Sequence, residues 1–180
     1  MQRALLIVDV QNDFCPGGAL AVPHGDRVVP VINRLLDRFP LVLSSQDWHP
    51  AQSRHFERWP VHCVQESQGA ALHPDLQADA IQLRLYKGTD QADDGYSAFE
   101  ATNLDLAQTL HQAQVDHLYL VGLATDYCVK ATALDAIKAG FDVTVVLDAV
   151  AAVELNPGDG INALQAMSNA GVRLTHSSAL

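Results

Sequence analysis

The chain has 180 residues, 48% of them hydrophobic and 18% charged, enough to bury a substantial core without cross-links and too apolar for a disordered chain. A formal net charge of −10, with no basic block, excludes nucleic acid and anionic membrane surfaces as partners. The three cysteines, Cys15, Cys63 and Cys128, are odd in number and widely spaced, which argues against a disulfide framework and for a reducing cytoplasm. No apolar run reaches transmembrane length. The opening MQRALLIVDV passes at once into Asp9, Gln11, Asn12 and Asp13, unlike a signal peptide.

Runs rich in apolar and β-branched residues predict strands at 3–10, 41–46, 81–87, 117–123 and 141–149, with a weak sixth at 172–176. Several are continuous rather than alternating, as in parallel strands buried on both faces. Between them lie helical patterns. Residues 26–38 carry Val29, Ile32, Leu35 and Leu36 on one face, and 104–114 carry Leu104, Leu106, Ala107 and Leu110. An alanine-rich helix at 126–139, with Thr125 or Asp126 as its cap, ends at Gly140, and a last one at 158–170 ends at Gly171. Alternating strand and helix means an α/β fold with helices on both faces of a parallel sheet. With no linker or repeat, residues 1–180 are expected to form one domain. Two long connections, 10–25 and 47–80, hold Trp, Cys and His, and long loops of that kind are commonly functional.

Open parallel sheets bind ligands beyond the carboxyl ends of their strands. Those ends deliver Asp9, then Asp47 and His49, then Lys87, then Asp126 and Cys128 to one edge. Cys128 falls in the first turn of a helix, where main-chain amides favour a thiolate, lower its pKa and offer donors to an oxyanion. A buried, inert small hydrophobe fits the same position. Asp9 beside a thiol can accept its proton, and Lys87 can hold both anions electrostatically. Each of the three alone reads as an ordinary turn, strand-end or core residue. Only the trio suggests nucleophilic catalysis.

The stretch SQDWHPAQSRHFERWPVHC (45–63) supports a second chemistry. In an extended D-x-H, Asp47 and His49 point the same way, and a folded loop brings back His55 and His62. Three imidazoles and a carboxylate suit a divalent metal, zinc, iron or manganese rather than calcium or magnesium. Cys63, adjacent to His62, is expected to point elsewhere. His24, His73, His111, His117 and His176 are taken as surface or capping residues. Phe14, Trp59 and Tyr96 fall in loops and could line a small pocket over a planar substrate.

These residues also carry a resemblance. ALLIVDVQNDFCPGGALAV (4–22), QDWHP (46–50), HF (55–56), WPVHCVQ (59–65), HPDL (73–76), YKGTDQADDGYSAF (86–99) and GLATDYCVKATALDA (122–136) resemble, in order and across nearly the whole chain, the bacterial nicotinamidases (pyrazinamidases) of the isochorismatase-like, or cysteine hydrolase, superfamily. The resemblance implies a three-layer α/β/α fold with a six-stranded parallel sheet of order 3-2-1-4-5-6. It implies Cys128 as nucleophile, Asp9 as base, Lys87 as the third member, and Asp47, His49, His55 and His62 as ligands of one divalent metal, zinc foremost, that holds the pyridine nitrogen. Phe14, Trp59, Tyr96, Leu123, Ala124 and Tyr127 match pocket positions. The amides of Ala124 and Cys128 match an oxyanion hole, with a cis peptide between Leu123 and Ala124. The implied reaction is hydrolysis of nicotinamide to nicotinate and ammonia, with pyrazinamide as an analogue substrate.

Two departures stand out: Glu66, where glycine is frequent, and Tyr127, where other members carry His. The rival readings are another amidase of the superfamily, a hydrolase in which metal-activated water attacks and Cys128 is structural, and a non-enzymatic metal-binding α/β module. A homo-oligomer is compatible with the pattern.

Overall fold

The computed structural model describes residues 2–180. Six strands form one parallel sheet: β1 (Gln2–Val8), β2 (Leu41–Asp47), β3 (Leu83–Lys87), β4 (Val115–Leu123), β5 (Asp142–Ala151) and β6 (Arg173–Thr175). Their spatial order is β3-β2-β1-β4-β5-β6, as the resemblance implies. The helices are α1 (Val28–Leu35), α2 (Leu106–Gln112), α3 (Lys130–Lys138) and α4 (Asp159–Asn169). No helix among the described residues is long and apolar enough to cross a membrane.

The continuous apolar strands follow from burial on both sides. In β1, Leu5 and Ile7 enter a core with Val28, Val29, Ile32 and Leu35 of α1. Ala4, Leu6 and Val8 enter the opposite core, with Leu106 and Leu110 of α2, Ala133 and Ala136 of α3 and Met167 of α4. Among the described residues the first core draws on a single α-helix, α1. It is completed by the long β2–β3 connection, whose Cys63, Ala70 and Leu76 pack there.

Several expectations are refined. Asp105 caps α2 by accepting from the amide of Gln108 at 2.9 Å, which starts that helix two residues later than the apolar pattern does. Gly140 (φ +90°) and Gly171 (φ +99°) end α3 and α4 in left-handed conformations. Neither Thr125 nor Asp126 caps its own helix. The Asp126 carboxylate instead accepts from the amides of Val153 (2.8 Å) and Glu154 (3.0 Å), tying the end of β5 to the start of α3. His117 is no surface residue. It is buried in β4, stacked on Tyr119 and hydrogen-bonded through Nε2 to Thr144 Oγ1 at 2.8 Å.

Candidate active site and metal centre

β1, β2, β3 and β4 end at one edge of the sheet, and register sets what meets there. Asp47 and Lys87 are direct partners across β2 and β3, so their side chains share a face. Val8 pairs with Ser45 on one side and Gly122 on the other. The next residue, Asp9, leaves the strand at φ +49°, a conformation that aspartate tolerates better than most residues. Its Oδ1 accepts from Ser45 Oγ at 2.7 Å.

Lys87 is fully buried. Its Nζ lies 2.5 Å from Asp47 Oδ1 and 2.7 Å from Asp9 Oδ2. It donates to Gly95 O at 2.7 Å and sits 3.6 Å from Cys128 Sγ. The contact with Asp9 is ionic rather than a well-aligned hydrogen bond, since Oδ2 has no hydrogen-bond partner. Ligand atoms of Asp9, Asp47 and Cys128 all lie within 4.8 Å of one another. The predicted trio is therefore assembled, with the ammonium at its centre.

The charges are strongly coupled. Burial opposes the charge on Lys87, but Asp47, Asp9 and Cys128 together raise its pKa well above the ordinary lysine value. Burial would lift Asp47, yet Lys87, His49 and His62 hold it well below the usual carboxylate range. Asp9 goes the other way. Burial raises its pKa, Lys87 only partly reverses this, and Asp47 adds to it.

The thiol departs from expectation. Burial pushes Cys128 well above the ordinary thiol value, Lys87 pulls it down, and Asp9 and Asp47 push it up again. Desolvation and two nearby carboxylates thus outweigh the helix-start amides and favour the neutral thiol. The helix start itself is unusual, because the amide of Val129 bonds to Ala124 O at 3.1 Å, five residues back. Such π-type turns recur at functional sites. The peptide between Leu123 and Ala124 is cis.

The second cluster is assembled by the β2–β3 connection. The loop folds back through His49 N to Cys63 O and Gln65 N to His49 O, each 2.9 Å. Ser53 Oγ caps the short turn bearing His55 at 3.1 Å. Asp13 braces this loop, accepting from the amide of Cys63 at 2.7 Å. Cys63 is buried in the core, its Sγ 4.0 Å from Gly69 O.

One ligand-capable atom from each of His49, His55 and His62 lies within 4.8 Å of the others. Asp47 Oδ2 is 3.4 Å from His49 Nε2 and 3.7 Å from His62 Nε2. Each histidine uses Nδ1 elsewhere: His49 on Gly88 O (3.0 Å), His55 on Asp94 Oδ1 (2.8 Å) and His62 on Pro60 O (2.7 Å). A proton on Nδ1 leaves Nε2 as the lone-pair nitrogen that a metal needs. His49 Nε2 is buried with no hydrogen-bond partner among the described residues. That orphaned nitrogen, facing two imidazoles and a carboxylate, fits a divalent ion.

Both clusters open onto one pocket of about 420 Å³, counting its mouth, which also includes Phe14, Trp59, Tyr96, Leu123, Ala124 and Tyr127 in its walls. Trp59 Nε1 donates to Tyr96 Oη at 3.0 Å. Tyr127 meets Trp59 edge-on at 5.2 Å and stacks on Tyr96 at 6.2 Å. Two further walls, Leu20 and Val153, carry no chemical signal of their own in the sequence. Nor do Ser45, Gly88, Asp94 and Gly95, the last three inside the 86–99 segment, which support the side chains of the two clusters through oxygen atoms. Glu66 is exposed, so its charge is directed to solvent. Its φ of +62° accounts physically for a position that favours glycine.

This geometry agrees with comparisons to known proteins. A family model described as "Isochorismatase domain" matches residues 3–179, and the chain belongs to that family. The nicotinamidase of Escherichia coli (strain K12) is 45% identical, over 96% of this chain and 93% of that protein. The pyrazinamidase of Pyrococcus horikoshii in complex with zinc is 41% identical, with a TM-score of 0.89 and coverage of 98% and 99% of the two chains. PnC1 from L. infantum in complex with nicotinate is 38% identical, with a TM-score of 0.93 over 99% of this chain and 94% of that one.

Proposed function

We infer that this chain is a nicotinamidase, an amide hydrolase that converts nicotinamide to nicotinate and ammonia. Pyrazinamide, with a second ring nitrogen, is expected to be an alternative substrate. The observation that carries the reading is the convergence of the Cys128–Asp9–Lys87 cluster and the three-histidine cluster on one aromatic pocket.

We assign Cys128 as nucleophile and Asp9 as the proton carrier. Burial and the two carboxylates favour the neutral thiol, and Asp9, raised by burial, is suited to accept and return a proton. Sγ attacks the carboxamide carbon as its proton passes to Asp9, forming the C–S bond. The amides of Ala124 and Cys128 are assigned to the resulting oxyanion, each such donor being worth about 2–4 kcal/mol. Asp9 protonates the amide nitrogen, the C–N bond breaks and ammonia leaves. Water then attacks the thioester, losing its proton to Asp9. The C–S bond breaks, nicotinate is released and the proton returns to Sγ. Lys87 keeps its ammonium beside Asp9 and Cys128 throughout, offsetting negative charge on whichever of the two carries it.

Phe14, Trp59, Tyr96, Leu123 and Tyr127 would enclose the ring, turning attack into a positioned, effectively intramolecular step. Asp47, His49, His55 and His62 are assigned as ligands of one divalent ion, zinc by the preference of three imidazoles and a carboxylate. When bound, the ion supplies Lewis-acid affinity for the ring nitrogen. A cytoplasmic location fits three buried, unpaired cysteines.

The test is ammonia release from nicotinamide and pyrazinamide by the wild type and by Cys128→Ala, with zinc content measured on both. The variant should keep its zinc and lose activity by a factor on the order of 10⁵–10⁶. Near wild-type turnover in Cys128→Ala would refute the covalent route.

A further inference from the structure

The three histidines differ in what stands behind them. His49 and His62 rest on main-chain carbonyls, whereas His55 Nδ1 meets a side-chain carboxylate, Asp94 Oδ1, at 2.8 Å. A carbonyl orients an imidazole and sets its tautomer. A carboxylate also adds negative charge, which makes the opposite nitrogen a stronger donor to a cation.

Asp94 is itself held. Its Oδ1 also accepts from the Arg58 guanidinium, which extends from the turn just after His55. Side-chain exposure is 36% for Asp94 and 61% for Arg58, so Arg58 competes with water for the carboxylate and keeps it turned inward. The surrounding segment is a strap, not a free loop. Gly88 O supports His49, Gly95 O accepts from Lys87, and Tyr96 Oη accepts from Trp59. Gln91 O accepts from the amide of Arg54 at 2.8 Å, and Asp93 Oδ1 accepts from the amide of Gly95 at 2.9 Å. Asp94 is thus anchored on both sides while its carboxylate reaches the back of a candidate ligand.

We propose that Asp94, held by Arg58, is a positioning residue that raises the divalent-metal affinity of the site by acting through His55. This rests on reading His49, His55 and His62 as metal ligands. It predicts an effect on binding of the ion that does not depend on turnover.

The decisive measurement is zinc affinity of the full chain by competition with a chromophoric chelator. It compares wild type, Asp94→Ala, Asp94→Asn, Arg58→Gln and the double variant Asp94→Ala/Arg58→Gln. Asp94→Ala should bind zinc about 10–100-fold more weakly. Asp94→Asn, which keeps an oxygen for the Nδ1 proton, should recover part of that loss. Arg58→Gln should weaken binding several-fold alone and have no further effect in the Asp94→Ala background, as expected for a residue working through another. In cobalt-loaded protein the visible absorption bands should move in Asp94→Ala, because the donor strength of His55 has changed. Ammonia release by that variant should rise toward the wild-type rate as zinc is added.

Should Asp94→Ala not fold, the Asn and Arg58 variants carry the same comparison. Zinc affinity within about twofold of wild type in both Asp94 variants overturns the proposal, given the usual size of such effects. Full additivity of Arg58→Gln with Asp94→Ala overturns the part given to Arg58. A wild type that releases ammonia but binds no zinc overturns the proposal together with the metal assignment. One that binds zinc, with Asp94 dependence, but releases no ammonia supports the proposal and refutes the amidase.

Discussion

Replacing Lys87 by methionine, similar in length and uncharged, tests the idea that one buried cation holds the catalytic cluster together. Its Nζ lies 2.5 Å from Asp47 and 2.7 Å from Asp9. At an effective dielectric of 20, each such contact corresponds to about 6 kcal/mol of Coulomb attraction. The desolvation cost of the ammonium offsets much of this. Asp9, whose pKa burial already raises, takes up a proton once the cation is gone, which limits the loss further. Gly95 O also loses its donor. The net cost should be that of breaking a buried ion pair, about 3–5 kcal/mol.

For a chain of this size that corresponds to a fall in Tm of roughly 6–20 °C, at about 2–4 °C per kcal/mol. Thermal unfolding of metal-free wild type and Lys87→Met at neutral pH, followed by circular dichroism, reads it directly. Turnover of nicotinamide should also collapse, since a protonated Asp9 cannot accept the Cys128 proton. A Tm within about 2 °C of wild type, less than the shift from 1 kcal/mol, would refute the reasoning.

Two other substitutions probe the supports. Tyr96→Phe removes the acceptor of Trp59 Nε1, a loss of about 1 kcal/mol, and should raise KM for nicotinamide roughly fivefold with a smaller change in kcat. Steady-state kinetics decide it, and an unchanged KM would remove the Trp59–Tyr96 pair from ring binding. Gly88→Ala would add a Cβ 2.5 Å from His49 Cε1 at a residue with φ +64°. His49 must then shift, so zinc affinity should fall and Tm should drop by an amount reflecting about 1–2 kcal/mol of left-handed backbone cost. An alanine variant with wild-type zinc affinity would show that the Gly88 carbonyl does not orient His49.

What the amino-acid sequence reveals, and what it hides, has a physical pattern. β1, β2, β4 and β5 are largely buried on both faces and read directly as apolar runs, whereas β3, at a sheet edge, reads through its alternating Leu83 and Leu85. β6, three residues long and at the sheet edge, gives only a weak signal. Motif side chains at strand ends were legible because parallel topology brings those ends together. The supports of those side chains were not, since a carbonyl oxygen such as that of Gly88, Gly95 or Pro60 belongs to every residue type. Asp94 does carry an identity, but it lies in the polar run TDQADDG (89–95), where nothing distinguishes it from Asp90 or Asp93. The direction of the Cys128 shift was lost for a different reason. It depends on how deeply the thiol is buried and how close Asp9 and Asp47 approach, quantities set by packing and invisible in the helix-start pattern.

The histidine cluster and the thiol cluster are not separate devices, and Asp47 is where they join. Its Oδ1 pairs with Lys87 at 2.5 Å, while Oδ2 faces His49 and His62 at 3.4 and 3.7 Å. A cation on the histidine side therefore draws on the same carboxylate that holds the ammonium beside Asp9 and Cys128. Charge placed at one end is felt at the other through a single residue, with no movement of the backbone required. In an extended D-x-H, Asp47 looked like one ligand among four. Its register partner on β3 makes it also one wall around the Lys87 ammonium, so removing Asp47 should damage both metal binding and the environment of Cys128, whereas removing His55 should damage chiefly the first.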